Sequence, residues 1–384
     1  MISQIVFTHD ILKYRYDEKV CDSWLCDLIS FPLYKATGIR IIKLKDLKSK
    51  VLGDEAVFSQ NKFLNLSNVQ SNEEISLSKL VVSEDSWNYL SQFVDKKTLI
   101  IGTELGREFR QKLSELGIVY VGFSFHPYKL FDDILLLMTT NNVAVYEKIF
   151  RWKVPEENFY QTALYWKNSI RRNLLDNLSV EGNSILFVGQ TYSDYSVFNG
   201  NKYLNITDFK NDIAKYTKNY NKMYYSPHPY SGKMPCVDEY LADSKNGVTI
   251  TDIPSYFLLS SEKICKVVSI SSSILYEAKF FLKDTEYLFK PLFDIDVSFG
   301  KNSYVSIYQK YFNPMFWSDI LEPILQTKKC EDEYFFEQSK NKIRNLLGAY
   351  HGYENLDIAW KAIRKSNKNE RQINEILRWI KIPH

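Results

Sequence analysis

Residues 97–125 read KTLIIGTELGREFRQKLSELGIVYVGFSF. The two ends, KTLIIGT (97–103) and GIVYVGFSF (117–125), are short apolar runs rich in β-branched and aromatic residues, as buried strands are. Between them Leu105, Phe109, Leu113 and Leu116 recur at intervals of three or four, the spacing of one helix face. The stretch therefore predicts strand, helix, strand. Two strands joined through a helix lie parallel, by a right-handed crossover. That places the chain in the α/β class.

The same alternation extends in both directions. Upstream, SQIVFTH (3–9) and GIRIIKL (38–44) read as strands, while 45–80 is rich in Ser, Asn and Lys and decides little. Downstream, the polar stretch DNLSVEGN (176–183) reads as a linker. After it come the strands SILFVGQ (184–190), KMYYSPH (222–228), GVTITD (247–252), KVVSIS (266–271) and EYLFK (286–290), with helices expected over 206–220 and 273–282. From about residue 315 the pattern is helical. The expectation is two Rossmann-like domains facing a cleft, at 1–178 and 179–330, with a helical tail over 331–384 that packs back toward the first.

Composition narrows the function classes. A chain of 384 residues exceeds the usual single core, and 45% hydrophobic content excludes disorder. A net charge of +3 without a basic stripe argues against nucleic acid. The five cysteines are scattered and form no CxxC pair, which fits a reducing cytoplasm and no zinc site. The N-terminus lacks the pattern of a signal peptide, and no apolar window is long enough to span a bilayer.

Parallel sheets present ligands at the carboxyl ends of their strands. Three such ends in the second half carry polar groups. Gly189 is followed by Gln190, Asp194 and Ser196 in GQTYSDYS; His228-Pro229 follows KMYYSP; Ser271, Ser272 and Ser273 precede a helix that carries Glu277. Hydroxyls and free amides at a helix start favour a phosphate, and Glu277 could reach a ribose. Each element also has a structural alternative: an N-cap for the serines, a turn for His-Pro, an Asx-turn for Asp194. Their order along one sheet is what favours a shared site.

The ordered set GQxxxDxS (189–196), HP (228–229) and the serine run (271–273) resembles the bacterial CMP-sugar glycosyltransferases of GT-B fold. The HP and serine elements are shared with sialyltransferases, and the Gly-Gln element is closer to the retaining β-Kdo transferases of capsule and O-antigen (lipopolysaccharide) synthesis. FHPYKLFDDILLLMTTNN (125–142) is similar to a stretch of those Kdo enzymes, which implies sugar or acceptor contacts for His126, Lys129, Asp132 and Asp133. The resemblance implies CMP binding by Gly189, Gln190, His228, Pro229, Ser271, Ser272, Ser273 and Glu277. It implies a nucleophile at Asp194, a catalytic role for His228 in stabilising the charge on the departing CMP phosphate, and transfer of Kdo from CMP-Kdo to a glycan with retention. Glu104, at a strand end in the first domain, is the candidate base for the acceptor, while Ser196 and Lys233 are candidate sugar contacts. No cofactor or metal is expected, because Asp132-Asp133, in an apparent helix, would diverge by about 100° and make a poor clamp. A lipid-linked or oligosaccharide acceptor would bring the enzyme to the inner membrane face as a peripheral protein. The rival readings are inverting transfer from CMP-sialic acid, a UDP-sugar enzyme, and a sugar-binding protein with a GT-B shell but no catalysis.

Overall fold

The strand-helix-strand stretch folds as its spacing requires: strands over Thr98–Thr103 and Val119–Phe125 run parallel, joined through a helix over Arg107–Glu115. The helix buries Phe109 and Leu113 and turns its charged residues outward. The computed structural model describes residues 2–12, 23–49, 51, 56–67, 82–170, 172–192, 194–228, 231–243, 247–251, 253–330 and 343–344. In chain order its strands are β1 (Gln4–His9), β2 (Ile41–Lys43), β3 (Thr98–Thr103), β4 (Val119–Phe125), β5 (Leu136–Thr140) and β6 (Ser184–Val188). They continue with β7 (Lys222–Ser226), β8 (Val248–Thr249), β9 (Ile264–Ser269), β10 (Asp284–Tyr287), β11 (Asp294–Ile295) and β12 (Ser303–Ile307).

The chain divides into two units. Among the described residues, the first holds those up to His126, Asp133–Val154, Phe293–Cys330 and 343–344; the second holds Pro127–Asp132 and Pro155–Leu292. The first unit's sheet has the order β11-β12-β5-β4-β3-β1-β2, with β5 antiparallel to both its neighbours. The second unit's sheet has the order β10-β9-β6-β7-β8 and is parallel throughout. Each carries its own apolar core: Val6, Ile100, Phe109 and Leu113 belong to one, Ile185, Phe187, Met223 and Val268 to the other. Two Rossmann-like α/β units are the composition of a GT-B fold. Among the described residues no helix is long and apolar enough to cross a membrane.

Three expectations change. The crossing between units falls at Val154 and Pro155, not at the polar stretch 176–183, because the helix Glu156–Ser169 buries Phe159, Ala163 and Trp166 within the second unit. The chain also returns to the first unit at Phe293: β12 pairs antiparallel with β5, Val305 opposite Met138, so the expected second domain ends early. Asp132 and Asp133 lie in no helix, and the apolar run 134–138 after them leads into β5, whose five residues are all buried. A run that is apolar at every position has no period to separate strand from helix. The helix Pro314–Leu321 closes the first unit, burying Phe316, Trp317, Ile320 and Leu321 against the helix Ser23–Thr37. Of the expected tail over 331–384, only 343 and 344 are among the described residues.

His126 proves to be a core residue of the first unit, 2% exposed, so it does not present itself to a sugar. Ser306 donates its hydroxyl to Asp296 (2.7 Å) and therefore accepts from His126 Nε2–H (2.9 Å). Burial holds the imidazole well below its ordinary value of 6.5. The unfolded chain then binds the extra proton as pH falls, and stability is lost below about pH 6.5 by up to ~1.4 kcal/mol per pH unit. Urea unfolding at pH 5, 6 and 7 should show the wild type losing stability relative to His126→Gln as pH falls. Equal slopes in both would refute the assignment.

Candidate functional site

β7, β6 and β9 are adjacent parallel strands, so the loops after Ser226, Val188 and Ser269 leave the sheet side by side at its carboxyl edge. Between β6 and β9 the strand order reverses, and this is where open α/β sheets leave a crevice for ligands. The expected donor-site elements sit on these three ends. Gln190 ties two of them together: its Oε1 accepts the Ser271 N–H at 2.7 Å and its Nε2 donates to Ser196 Oγ at 2.9 Å. Gly189 lets β6 and β7 close up, because a Cβ there would lie 2.6 Å from the Tyr225 hydroxyl.

The serine run divides by environment. Ser273 is exposed and makes no side-chain cap, so the N-cap reading does not apply to it. Ser272 Oγ accepts a long contact from Ile274 N–H (3.4 Å). Ser271 is 3% exposed, and its hydroxyl has no hydrogen-bond partner among the described residues. A buried hydroxyl left so costs roughly 1–3 kcal/mol unless something else fills the position.

His228 follows β7 and is partly buried; its carbonyl accepts from the backbone N–H and the hydroxyl of Ser231 (2.9 and 2.7 Å), which fixes the turn. Burial pushes its imidazole below the ordinary range; the Asp194 carboxylate works against that, and the Lys129 ammonium adds to it. His228 therefore lies within electrostatic reach of both Asp194 and Lys129. Asp194 is exposed, and its Oδ1 accepts from Ser196 N–H at 2.8 Å, the Asx-turn of its structural alternative. Lys233 and Asp132 are exposed. Pro229 lies outside the described residues.

Glu277 is not a ribose ligand. It is 3% exposed, Tyr256 donates to both its oxygens (3.0 Å each), and Oε1 also accepts from Lys129 N–H at 2.8 Å. Asp133 is likewise consumed, since its oxygens accept from the backbone N–H groups of Ile134, Ile343 and Arg344 (2.8–3.2 Å) within the first unit. Its carboxylate caps backbone rather than binding sugar. Nothing in the sequence marked Tyr256, which is one of 27 tyrosines.

In the first unit Glu104 follows β3 with a left-handed backbone, φ 51°. Its N–H donates to Phe123 O (2.7 Å), and its Oε1 accepts from Phe125 N–H (3.0 Å). Asp10, buried after β1, accepts from Gly106 N–H (3.1 Å) and holds the loop that carries Glu104; a Cβ on Gly106 would meet the same carboxylate at 2.3 Å. Asp10 was legible only as the acid ending THD (8–10), a signal sequence reasoning passed over. At the ends of β1 and β2, beside β3, lies a cavity of about 120 Å³ lined by His9, Lys43, Lys45, Phe58 and Gln60 among others. His9 Nε2 is 3.2 Å from Gln60 Oε1. Among the described residues no group of three or more His, Cys, Asp or Glu side chains is arranged to hold a metal ion.

The model of the alpha-2,8-polysialyltransferase (POLYST) family matches residues 91–289, just over half of the sequence, and the chain belongs to that family. It is a glycosyltransferase of the CMP-sugar class, related to the enzymes of capsule polysaccharide synthesis. No curated protein matches it. Among solved structures it is similar to Thermosulfurimonas dismutans KpsC, β-Kdo 2,7 transferase, at 15% identity and TM-score 0.35, covering 62% of this chain and 81% of that one. It is also similar to the same organism's KpsC, β-Kdo 2,4 transferase, at 13% identity and TM-score 0.36, covering 82% and 90%. A third is Methanocaldococcus jannaschii UDP-GlcNAc 2-epimerase, at 15% identity and TM-score 0.29, covering 86% and 94%. Family membership, not these distant likenesses, carries the assignment.

Burial pushes the Glu277 carboxyl from 4.5 up to about 7, while the Lys129 charge and the bonds from Lys129 N–H and Tyr256 hold it down. The folded protein then keeps a proton that the unfolded chain has lost, so stability present below pH 4.5 is lost as pH rises to about 7. The slope is at most ~1.4 kcal/mol per pH unit. Comparing wild type with Glu277→Gln by urea unfolding at pH 5, 6 and 7 should show the wild type losing stability relative to the variant. A constant difference would contradict this ionisation.

Proposed function

We propose that the protein transfers a sialic acid from CMP-sialic acid to an acceptor glycan in the building of a capsule-type polysaccharide. The observation that carries this reading is the family match over 91–289, which contains Glu104, Lys129, Gln190, Asp194, His228 and Ser271. As the bond between the sugar's anomeric carbon and the phosphate breaks, CMP gathers negative charge. Ser271, whose hydroxyl has no partner among the described residues, the His228 imidazole and the Lys129 ammonium are suited to meet that charge without a metal. A general base must take the acceptor hydroxyl's proton as its oxygen attacks, and Glu104 is assigned that role, giving inversion in a single displacement. The cavity at the ends of β1 and β2 is the first unit's candidate acceptor subsite. A lipid-linked acceptor would make the enzyme a peripheral visitor to the membrane.

A second reading is transfer of Kdo from CMP-Kdo with retention. One observation favours it: Asp194, within GQxxxDxS, stands within electrostatic reach of His228. In that reading Asp194 displaces CMP, the sugar is held as an ester on its carboxylate, and the acceptor oxygen displaces it in turn, with its proton passing to a base.

CMP release and intact-protein mass, measured with each donor separately, decide between the two. The first reading expects turnover with CMP-sialic acid, no mass gain, and a loss of roughly 10²–10⁴-fold in Glu104→Gln. A mass gain of one Kdo that disappears in Asp194→Asn replaces it with the second. A folded protein that neither binds CMP nor turns over either donor is a sugar-binding shell and ends both. Ser271→Ala should weaken CMP binding about tenfold with no loss of thermal stability, because the hydroxyl it removes has no partner among the described residues. Unchanged CMP affinity in that variant would remove Ser271 from the site.

A further inference from the structure

A buried carboxylate is costly unless it is paired, and a glutamine of the same shape would satisfy the same backbone donor without a charge. Glu277 nevertheless holds Lys129 N–H at 2.8 Å and the Tyr256 hydroxyl at 3.0 Å from each oxygen, inside the second unit. The segment Pro127–Asp132 is anchored on both sides of that bond, and just after it Phe131 lies edge-on to Phe159 with ring centroids 5.3 Å apart. Just before it, Tyr128 lies edge-on to Phe159 and Phe280, with ring centroids 4.9 and 5.4 Å away, and donates its hydroxyl to Phe159 O at 2.6 Å. Glu277 thus fixes the backbone from which the Lys129 side chain departs. The charge of that side chain is felt by Glu277 on one side and by His228 on the other. The titratable groups facing Glu277 are Lys129, Tyr256 and Tyr128.

We propose that Glu277, clamped by Tyr256, is a positioning residue that holds Lys129 beside His228 as the ammonium that receives the phosphate of the donor nucleotide. This rests on the CMP-sugar reading above. It connects a side chain that no ligand reaches to the donor site. Glu277 acts on the phosphate only through Lys129, so its influence should vanish when Lys129 is gone, and it should ignore a ligand that has no phosphate.

The test is calorimetric binding of CMP and of cytidine to the full chain, with the ratio of the two affinities as readout. Lys129→Met and Glu277→Ala should each lower the CMP preference about tenfold, and the double variant should be no worse than Lys129→Met alone. Glu277→Gln keeps an acceptor for Lys129 N–H and should hold the preference within about threefold of wild type. Should Glu277→Ala fail to fold, Tyr256→Phe takes its place, with a loss of about threefold that also disappears in the Lys129→Met background. Equal losses for CMP and cytidine, or a further loss in the Lys129→Met background, would make Glu277 structural and overturn the proposal. An unchanged preference in Lys129→Met overturns it as well, while leaving the CMP-sugar reading intact. A wild-type protein that binds no CMP overturns both.

Discussion

The proposed donor side of the molecule depends on one amide. Parallel strands fan apart as they twist, and the reversal of order between β6 and β9 opens a gap between their loops. Gln190 spans that gap, taking the Ser271 N–H on one side and reaching Ser196 Oγ on the other. It therefore sets how far apart the serine run and the Asp194 loop stand. Gly189 does the matching work against β7, where no side chain larger than hydrogen clears the Tyr225 hydroxyl. Strand order alone would bring three loops to one edge; these two residues fix their spacing.

Within nine residues the stretch from Phe125 to Asp133 shows how one resemblance can lead to different environments. His126 and Asp133 turn into the first unit, where one bonds Ser306 and the other gathers backbone N–H groups. Lys129 stands in the second unit beside Glu277 and His228. Two buried ionisable groups, His126 and Glu277, escape the cost of burial by the same route, each shifted toward its neutral form. They differ in what they face. His126 meets a hydroxyl, a structural partner, whereas Glu277 meets a lysine whose charge also reaches the proposed phosphate histidine. Similar burial thus leaves one a core residue and ties the other to a site.

Much of the architecture was legible because alternating short apolar runs and helical spacing leave a period in the sequence. β1, β3, β4, β6, β7 and β9 fall where their runs are, and the three donor elements were placed on neighbouring strand ends. What failed had no local signal. β5 is buried at every position and continues the unbroken apolar run 134–138, so its pattern fits either strand or helix. The return of the chain through β12 is a pairing across more than 150 residues, and nothing in SYVSI names Leu136–Met138 as its partner. The role of Glu277 was misread for a similar reason: the first helical turn after a serine run is a good place for a ribose ligand, and only the packing of Tyr256 and Lys129 against it shows otherwise. Asp10 and Gly106 act as a pair 96 residues apart, which composition and spacing do not reveal.

The loop after β3 departs from local preference in a way that packing does not require. A glutamate at φ 51° gives up on the order of 1–2 kcal/mol relative to an ordinary backbone, and glycine would sit there without that cost. Two residues on, the chain does use glycine, at a position where the Asp10 carboxylate leaves no room for a Cβ. A loop chosen for stability alone would place its small residue at the left-handed position and let the acid go elsewhere. Here the acid keeps the strained position, and its carboxylate accepts a backbone N–H from the neighbouring strand end. Backbone strain of this kind persists where the surrounding structure over-determines it, and it clusters at functional positions. Here Asp10, Gly106 and Phe125 supply that surrounding structure, and together they fix where the Glu104 carboxylate stands.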